Sequence, residues 1–162
     1  MNGDKEVAST QAPRSLAERQ AHARKRLETG FQMWLATGGD GHGAHLIPVA
    51  FVWNGSALYT ATFAKSRTVS NIKGHPHARV ALGDTADVVM IDSSASLVDV
   101  PDIDAGIAER YAQVSTDPRT SPEGMFVYLR LLPKRIQVWN GFHEFAGRTV
   151  MRDGRWLDGP VD

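Results

Sequence analysis

The chain has 162 residues, 42% of them hydrophobic and 22% charged, enough for one domain with a real core but few for two. Its 18 Lys and Arg balance its 18 Asp and Glu, so no basic excess points to nucleic acid. Cysteine is absent, which excludes disulfides, thiolate metal sites and cysteine nucleophiles, and no run approaches the ~18 apolar residues of a membrane span.

Residues 1–14 are polar and small and read as a disordered tail without the apolar core of a secretory signal; a cytoplasmic protein is the default expectation. Residues 15–162 read as a single domain. Ser15 and Glu18 form the S-x-x-E capping box of a first helix that stops at Gly30, held on the surface by Leu16, Ala23 and Leu27. Strands follow over 31–37 and 44–53, the second carrying Pro48, which suggests an edge or bulge. Asn54-Gly55 turns that strand into a third over 57–62. Ser66 caps a short helix to Gly74, with Val69 and Ile72 facing the core. Strands over 78–83 and 86–98, a helix over about 101–115, and strands over 125–132 and 134–141 broken by Pro133 complete the body. Asp153-Gly154 centres a last hairpin over 148–157. Many antiparallel strands with few helices favour a closed barrel over an α/β sheet.

Two places could carry chemistry. At Ser66-Arg67-Thr68, unpaired N–H groups and the positive end of the dipole meet a guanidinium suited to phosphate, with Lys65 adjacent. The plainer reading is a helix cap with a solvated arginine. Trp139 and Arg148 can lie against a planar cofactor, or Trp139 can be core or interface. His22, His42, His45, His75, His77 and His143 show no metal-ligand spacing, so no metal is expected. The glycines from Gly38 to Gly43 sit between strands and make no dinucleotide fingerprint. No serine occupies a nucleophile elbow.

Taken in order, these stretches resemble the pyridoxamine 5'-phosphate oxidase-like, FMN-binding split barrels. Trp34-Leu35-Ala36-Thr37 with Asp40-Gly41 through Trp53 is similar to the family's opening hairpin. Tyr59-Thr60, Ser66-Arg67, Asn71-Ile72 and His75-Pro76 are similar to its Y-T, S-R-K, N-L and N-P motifs, and Arg135 to Gly141 resembles its R-I-E-F-W-Q-G. The resemblance runs over roughly residues 15–157.

It implies a mainly β (α+β) fold, a six-stranded antiparallel split β-barrel with a few peripheral helices. It also implies a homodimer holding FMN at the subunit interface, for hydride transfer with a small conjugated substrate. Ser66 and Arg67 match phosphate-binding positions, with Lys65 and Thr68 in the same site. Tyr59 and Thr60 match cofactor-lining positions. His45, Ile47, Pro48 and Val49 match the strand passing the ring. Trp139 and Arg148 match residues that reach the flavin from the partner subunit.

Thr68 stands where the family has a lysine, so Lys65 or Lys73 would supply the charge. Asp87 stands where the oxidase has a glutamine. The oxidase's substrate-gripping arginine and histidine have no match in Phe142 to Gly147, so vitamin B6 phosphate is not the expected substrate. His45 and His143 are candidates for acid or base. Two alternatives keep the fold: a deazaflavin (coenzyme F-420) reductase, and a non-catalytic flavin- or haem-binding protein.

Overall fold

The computed structural model describes residues 11–161. Residues 1–10 of the expected tail lie outside them. Ser15 caps α1 (Leu16–Thr29): its Oγ accepts from the Glu18 N–H, and its own N–H donates to the Glu18 carboxylate at 2.7 Å. Ala23 and Leu27 are buried, as the helical spacing requires, and Arg19 is buried beside them.

β1 (Gln32–Gly39) and β2 (His42–Ala50) form a hairpin; β3 (Val52–Trp53) turns at Asn54 into β4 (Leu58–Phe63). α2 (Arg67–Gly74) leads to β5 (His77–Leu82) and the long β6 (Val88–Asp99). The expected helix over 101–115 is a 3-10 turn at Val100–Asp102 followed by α3 (Ala105–Ala112), whose cap is Asp104. Pro101 is tolerated in a first turn, and the break comes after it, where Ile103 is extended and Asp104 caps the next helix. The two expected strands around Pro133 are one strand, β7 (Phe126–Trp139), followed by β8 (Thr149–Arg152) and β9 (Arg155–Trp156). Pro133 sits at a register shift against Ser93. It also lies where β7 exchanges one edge partner for another, β4 through Leu131 and β8 from Ile136. A residue without an N–H is tolerated there because the ladder is already interrupted.

The sheet order is β2-β1-β5-β6-β7-β4-β3, all pairs antiparallel, with β8 and β9 extending from β7. Its two ends, β2 and β3, are consecutive pieces of one segment. The sheet therefore curls into a six-stranded split barrel, counting β2 and β3 as one. Phe51 lies between them, fully buried, and its N–H donates to the Phe31 carbonyl at 2.9 Å. The interior is filled by Met33, Leu35, Val80, Ile91, Leu129 and Ile136 among others, with Leu27 of α1 and Ile72 of α2 in the same cluster. A second cluster lies outside the barrel wall, where α3 sets Ile107 and Tyr111 on Tyr59 and Tyr128.

Two buried polar contacts pin the peripheral pieces. Asn71 of α2 donates to the Thr37 hydroxyl at 3.0 Å. Arg14 does not belong to a loose tail: Glu144, 0% exposed, takes its Nε and main-chain N–H on one oxygen and its Nη2 on the other. The Asn140 N–H completes the set. Burial alone would raise the Glu144 carboxyl, but hydrogen bonds from Arg14 and Asn140 hold it at about 2.

Asn71→Ala strands the Thr37 hydroxyl inside the barrel and should lower the unfolding free energy by about 1–3 kcal/mol in urea titration; a change within error would make this contact idle. The Glu144 acid is depressed on folding, so its stabilisation is complete above its ordinary value of 4.5 and fades as pH falls toward about 2. The Tm gap between the natural protein and Glu144→Gln should be full at neutral pH and close across that window. A gap independent of pH would show that the carboxylate charge is not what holds the contact.

Candidate functional site

β4 pairs with β3 only through Leu58 and Tyr59, while Thr60 to Phe63 pair with β7 alone. β2 has β1 as its one ladder partner among the described residues. The barrel is thus split between β2 and the far half of β4, and main-chain groups on both rims are unpaired by neighbouring strands. At the end of β4 the chain turns, the Ser66 N–H donating to the Phe63 carbonyl at 2.9 Å, and enters α2.

The Ser66 Oγ accepts from the Val69 N–H at 3.3 Å and receives the Thr62 hydroxyl at 3.4 Å. The N–H groups of Arg67 and Thr68 have no acceptor within the helix, and the dipole makes this end positive. Lys65 and Arg67 are exposed, and neither has a carboxylate partner among the described residues. Two uncommitted cations, a hydroxyl and first-turn N–H groups suit a phosphate. Thr68 is turned inward, buried with its hydroxyl unpartnered, so it offers the site main chain rather than side chain.

The other expected residues divide by face. His45, Ile47 and Val49 stand opposite Thr37, Leu35 and Met33, whose side chains are buried in the barrel; Pro48 stands opposite the exposed Trp34. A ring lying along the outside of β2 would therefore meet Pro48 and main chain, not the side chains of Ile47 and Val49. Tyr59 and Thr60 likewise point opposite ways. Tyr59 is packed under α3, its hydroxyl accepting from Arg130 Nε at 3.2 Å. Thr60 is buried with a hydroxyl that has no partner.

Trp139 and Arg148 come together at the other end of β7, through the Phe145 ring. The Phe145 ring meets Trp139 edge-on at 6.1 Å and carries the Arg148 guanidinium over its face at 4.7 Å. Arg148 Nη1 also donates to the Phe145 carbonyl at 2.9 Å. Phe142, 90% exposed, stacks on Phe145, 43% exposed, at 5.5 Å between centroids. These phenylalanines pack with Trp139 and Arg148 and fall in no sequence motif; their one signal in the sequence is a pair of apolar residues in a short glycine-bracketed loop. His143 is exposed on the same loop. Asp87 is committed to α1, within 3.3 Å of Arg14, 3.1 Å of His22 and 3.6 Å of Arg26.

The two groups lie at opposite ends of β7. α2 begins beside Phe63, which pairs with Phe126 at the start of β7; Trp139 ends β7. At ~3.3 Å per residue that strand is a path of ~40 Å. On the outer face of β1 and β2, Trp34 is 48% and Leu46 58% exposed, with Pro48 alongside. Arg79, Asp92 and Arg135 form a cross-strand ladder, Asp92 taking Arg79 Nε at 2.6 Å and Arg135 Nε at 2.7 Å. Burial works against the Asp92 anion, but the two guanidiniums hold its carboxyl below the usual carboxylate range. Among the described residues, no group of three or more His, Asp or Glu is placed to hold a metal, and no helix is long and apolar enough to cross a membrane.

No curated protein matches this chain by sequence. Among solved structures it is similar to General Stress Protein 26 from Bacillus anthracis: TM-score 0.59, 17% identity, covering 74% of this chain and 92% of that one. It is similar to an F420 reductase at TM-score 0.57 and 19% identity, covering 70% and 94%. It is also similar to HutZ, the haem storage protein from Vibrio cholerae, at TM-score 0.52 and 19% identity, covering 77% and 95%. Likeness at that identity shows the shared split-barrel fold. The pyridoxamine 5'-phosphate oxidase family model matches residues 20–140, from α1 through the barrel to the end of β7, and the chain belongs to that family.

Proposed function

We propose that this protein is a homodimeric flavin-dependent oxidoreductase, with FMN held where the α2 end of one protomer faces the Trp139–Arg148 end of its partner. The observation that carries this reading is the separation of two complementary half-sites: a cationic helix start at one end of β7 and an aromatic and arginine wall at the other. Each is suited to one part of a phosphorylated planar ring, and neither suffices alone. The exposed Trp34, Leu46 and Pro48 face supports a second copy, since exposed apolar patches mark interaction sites.

In this reading Ser66, Arg67 and Lys65 hold the phosphate, and the free rim of β2 offers main-chain groups to the ring. Thr60 lies in the seam, while Tyr59 supports it from beneath α3. Trp139 and Arg148 of the partner close over the ring. Flavin, when bound, supplies hydride transfer; the chain's residues orient it, exclude water and set the local field. The substrate is a small conjugated compound lying between protomers. Two observations favour a second reading, deazaflavin in the same seam: the inward-turned Thr68 leaves the phosphate site, among the described residues, with Lys65 and Arg67 as its adjacent cations, and an F420 reductase shares the fold.

Titration of the purified protein with FMN, followed by absorbance and flavin fluorescence, tests the first reading. Arg67→Ala should weaken binding about 10- to 100-fold, as for loss of a charge-assisted phosphate contact. Saturable binding of a deazaflavin or haem in preference to FMN would replace FMN in this assignment. Shared sites have a sharper signature. Arg67→Ala and Arg148→Ala should each weaken both sites of a homodimer, while a hybrid of the two variants regains one intact site. Mixtures that never recover tight binding would place both arginines, or neither, in one protomer's site.

A further inference from the structure

We propose that Arg14 and Glu144 are positioning residues for the flavin site: from outside it, they set the Trp139–Phe145–Arg148 wall that the partner presents to the ring. This rests on the site assigned above. The loop carrying that wall has little of its own to hold its shape. It runs from the end of β7 to β8 with one 3-10 turn, Phe142–Glu144, and is bracketed by Gly141 at φ 147° and Gly147 at φ 64°. Both angles favour glycine. A Cβ at Gly141 would stand 3.0 Å from His143 Nδ1.

What fixes the loop lies underneath it. Glu144 points inward and is fully buried, and each of its carboxylate oxygens receives two hydrogen bonds. Three of the four donors belong to Arg14 and the fourth is the loop's own Asn140 N–H, so the contact reaches from the entry of α1 to the root of the loop. Buried Arg19 adds Nη1 hydrogen bonds to the carbonyls of Glu144 and Ala146, each at 3.1 Å. Phe145, the next residue, is the hub on the other side. Trp139, Phe142 and Arg148 all touch its ring, and Arg148 also bonds its carbonyl. Any shift of the Glu144 backbone is passed to Phe145 and so to the Arg148 guanidinium. Glu144, being buried, cannot touch the cofactor itself, and its effect on the site runs through that hub.

The test uses the full-length protein loaded with FMN and reads flavin fluorescence together with affinity. An indole close to the ring quenches flavin emission, so Trp139→Phe supplies the unquenched reference. Arg14→Gln and Glu144→Gln should each raise bound-flavin emission toward that reference and weaken FMN about tenfold. Arg14→Lys, which keeps the charge but not the fork, should fall between Arg14→Gln and the natural protein. Natural quenching and affinity in both glutamine variants would overturn the positioning role while leaving the site intact. Failure of the natural protein to bind FMN, or indifference of binding to Arg67→Ala, would instead overturn the site and this role with it. Should Glu144→Gln not fold, the Arg14→Gln and Arg14→Lys comparison decides alone, since Glu144 then keeps its Asn140 contact.

Discussion

One segment, residues 42–53, closes the barrel by serving as both ends of its sheet. Its first part pairs with β1 and its last two residues with β4, and the changeover is made at Phe51. A fully buried aromatic ring and a main-chain hydrogen bond to Phe31 hold that point, so the segment cannot slide without exposing the ring. Because β3 is only two residues long, closure is partial. The unclosed remainder is the seam between β2 and β4, and α2 starts at its rim. Among the described residues, the strand edges left unpaired at this seam thus lie beside the cationic start of α2.

The fold places complementary chemistry at the two ends of β7. Phe126 and Trp139 are the two ends of one 14-residue strand. In the proposed dimer a second copy completes the site and covers Trp34 and Leu46. The pieces at each end are fixed by buried polar contacts rather than by apolar packing alone. Thr37 with Asn71 seats α2, and Arg14 with Glu144 seats the loop after β7. Such contacts are directional, and a buried group left without its partner costs the full desolvation of that group, about 1–3 kcal/mol or more when charged. They specify one arrangement where apolar side chains tolerate several.

Much of the architecture was legible residue by residue. The Ser15 capping box, the Asn54-Gly55 and Asp153-Gly154 turns, and the Ser66 cap all depend on contacts within four residues, and each stands where local rules put it. Pro133 misled because its cost depends on what lies beside it. Read alone it breaks a strand, but at a bulge where β7 is changing partners it interrupts nothing. The β2 and β4 site positions show the limit on a finer scale. Resemblance singles out a run of adjacent residues, whereas a strand sends neighbours to opposite faces, so Ile47 and Pro48, or Tyr59 and Thr60, cannot share a role.

Sequence alone determined the strand-rich barrel, the family, and the cationic start of α2, because these rest on local propensity, on turn chemistry and on motifs in order. Only the tertiary structure decided that Thr68 turns inward, that Asp87 is engaged by α1, and that Trp139 lies a full strand away from Arg67. The same holds for Arg14 and Glu144, which stand 130 positions apart. Nothing in either residue's neighbourhood announces the other, and they meet only because the barrel returns the end of β7 to the entry of α1.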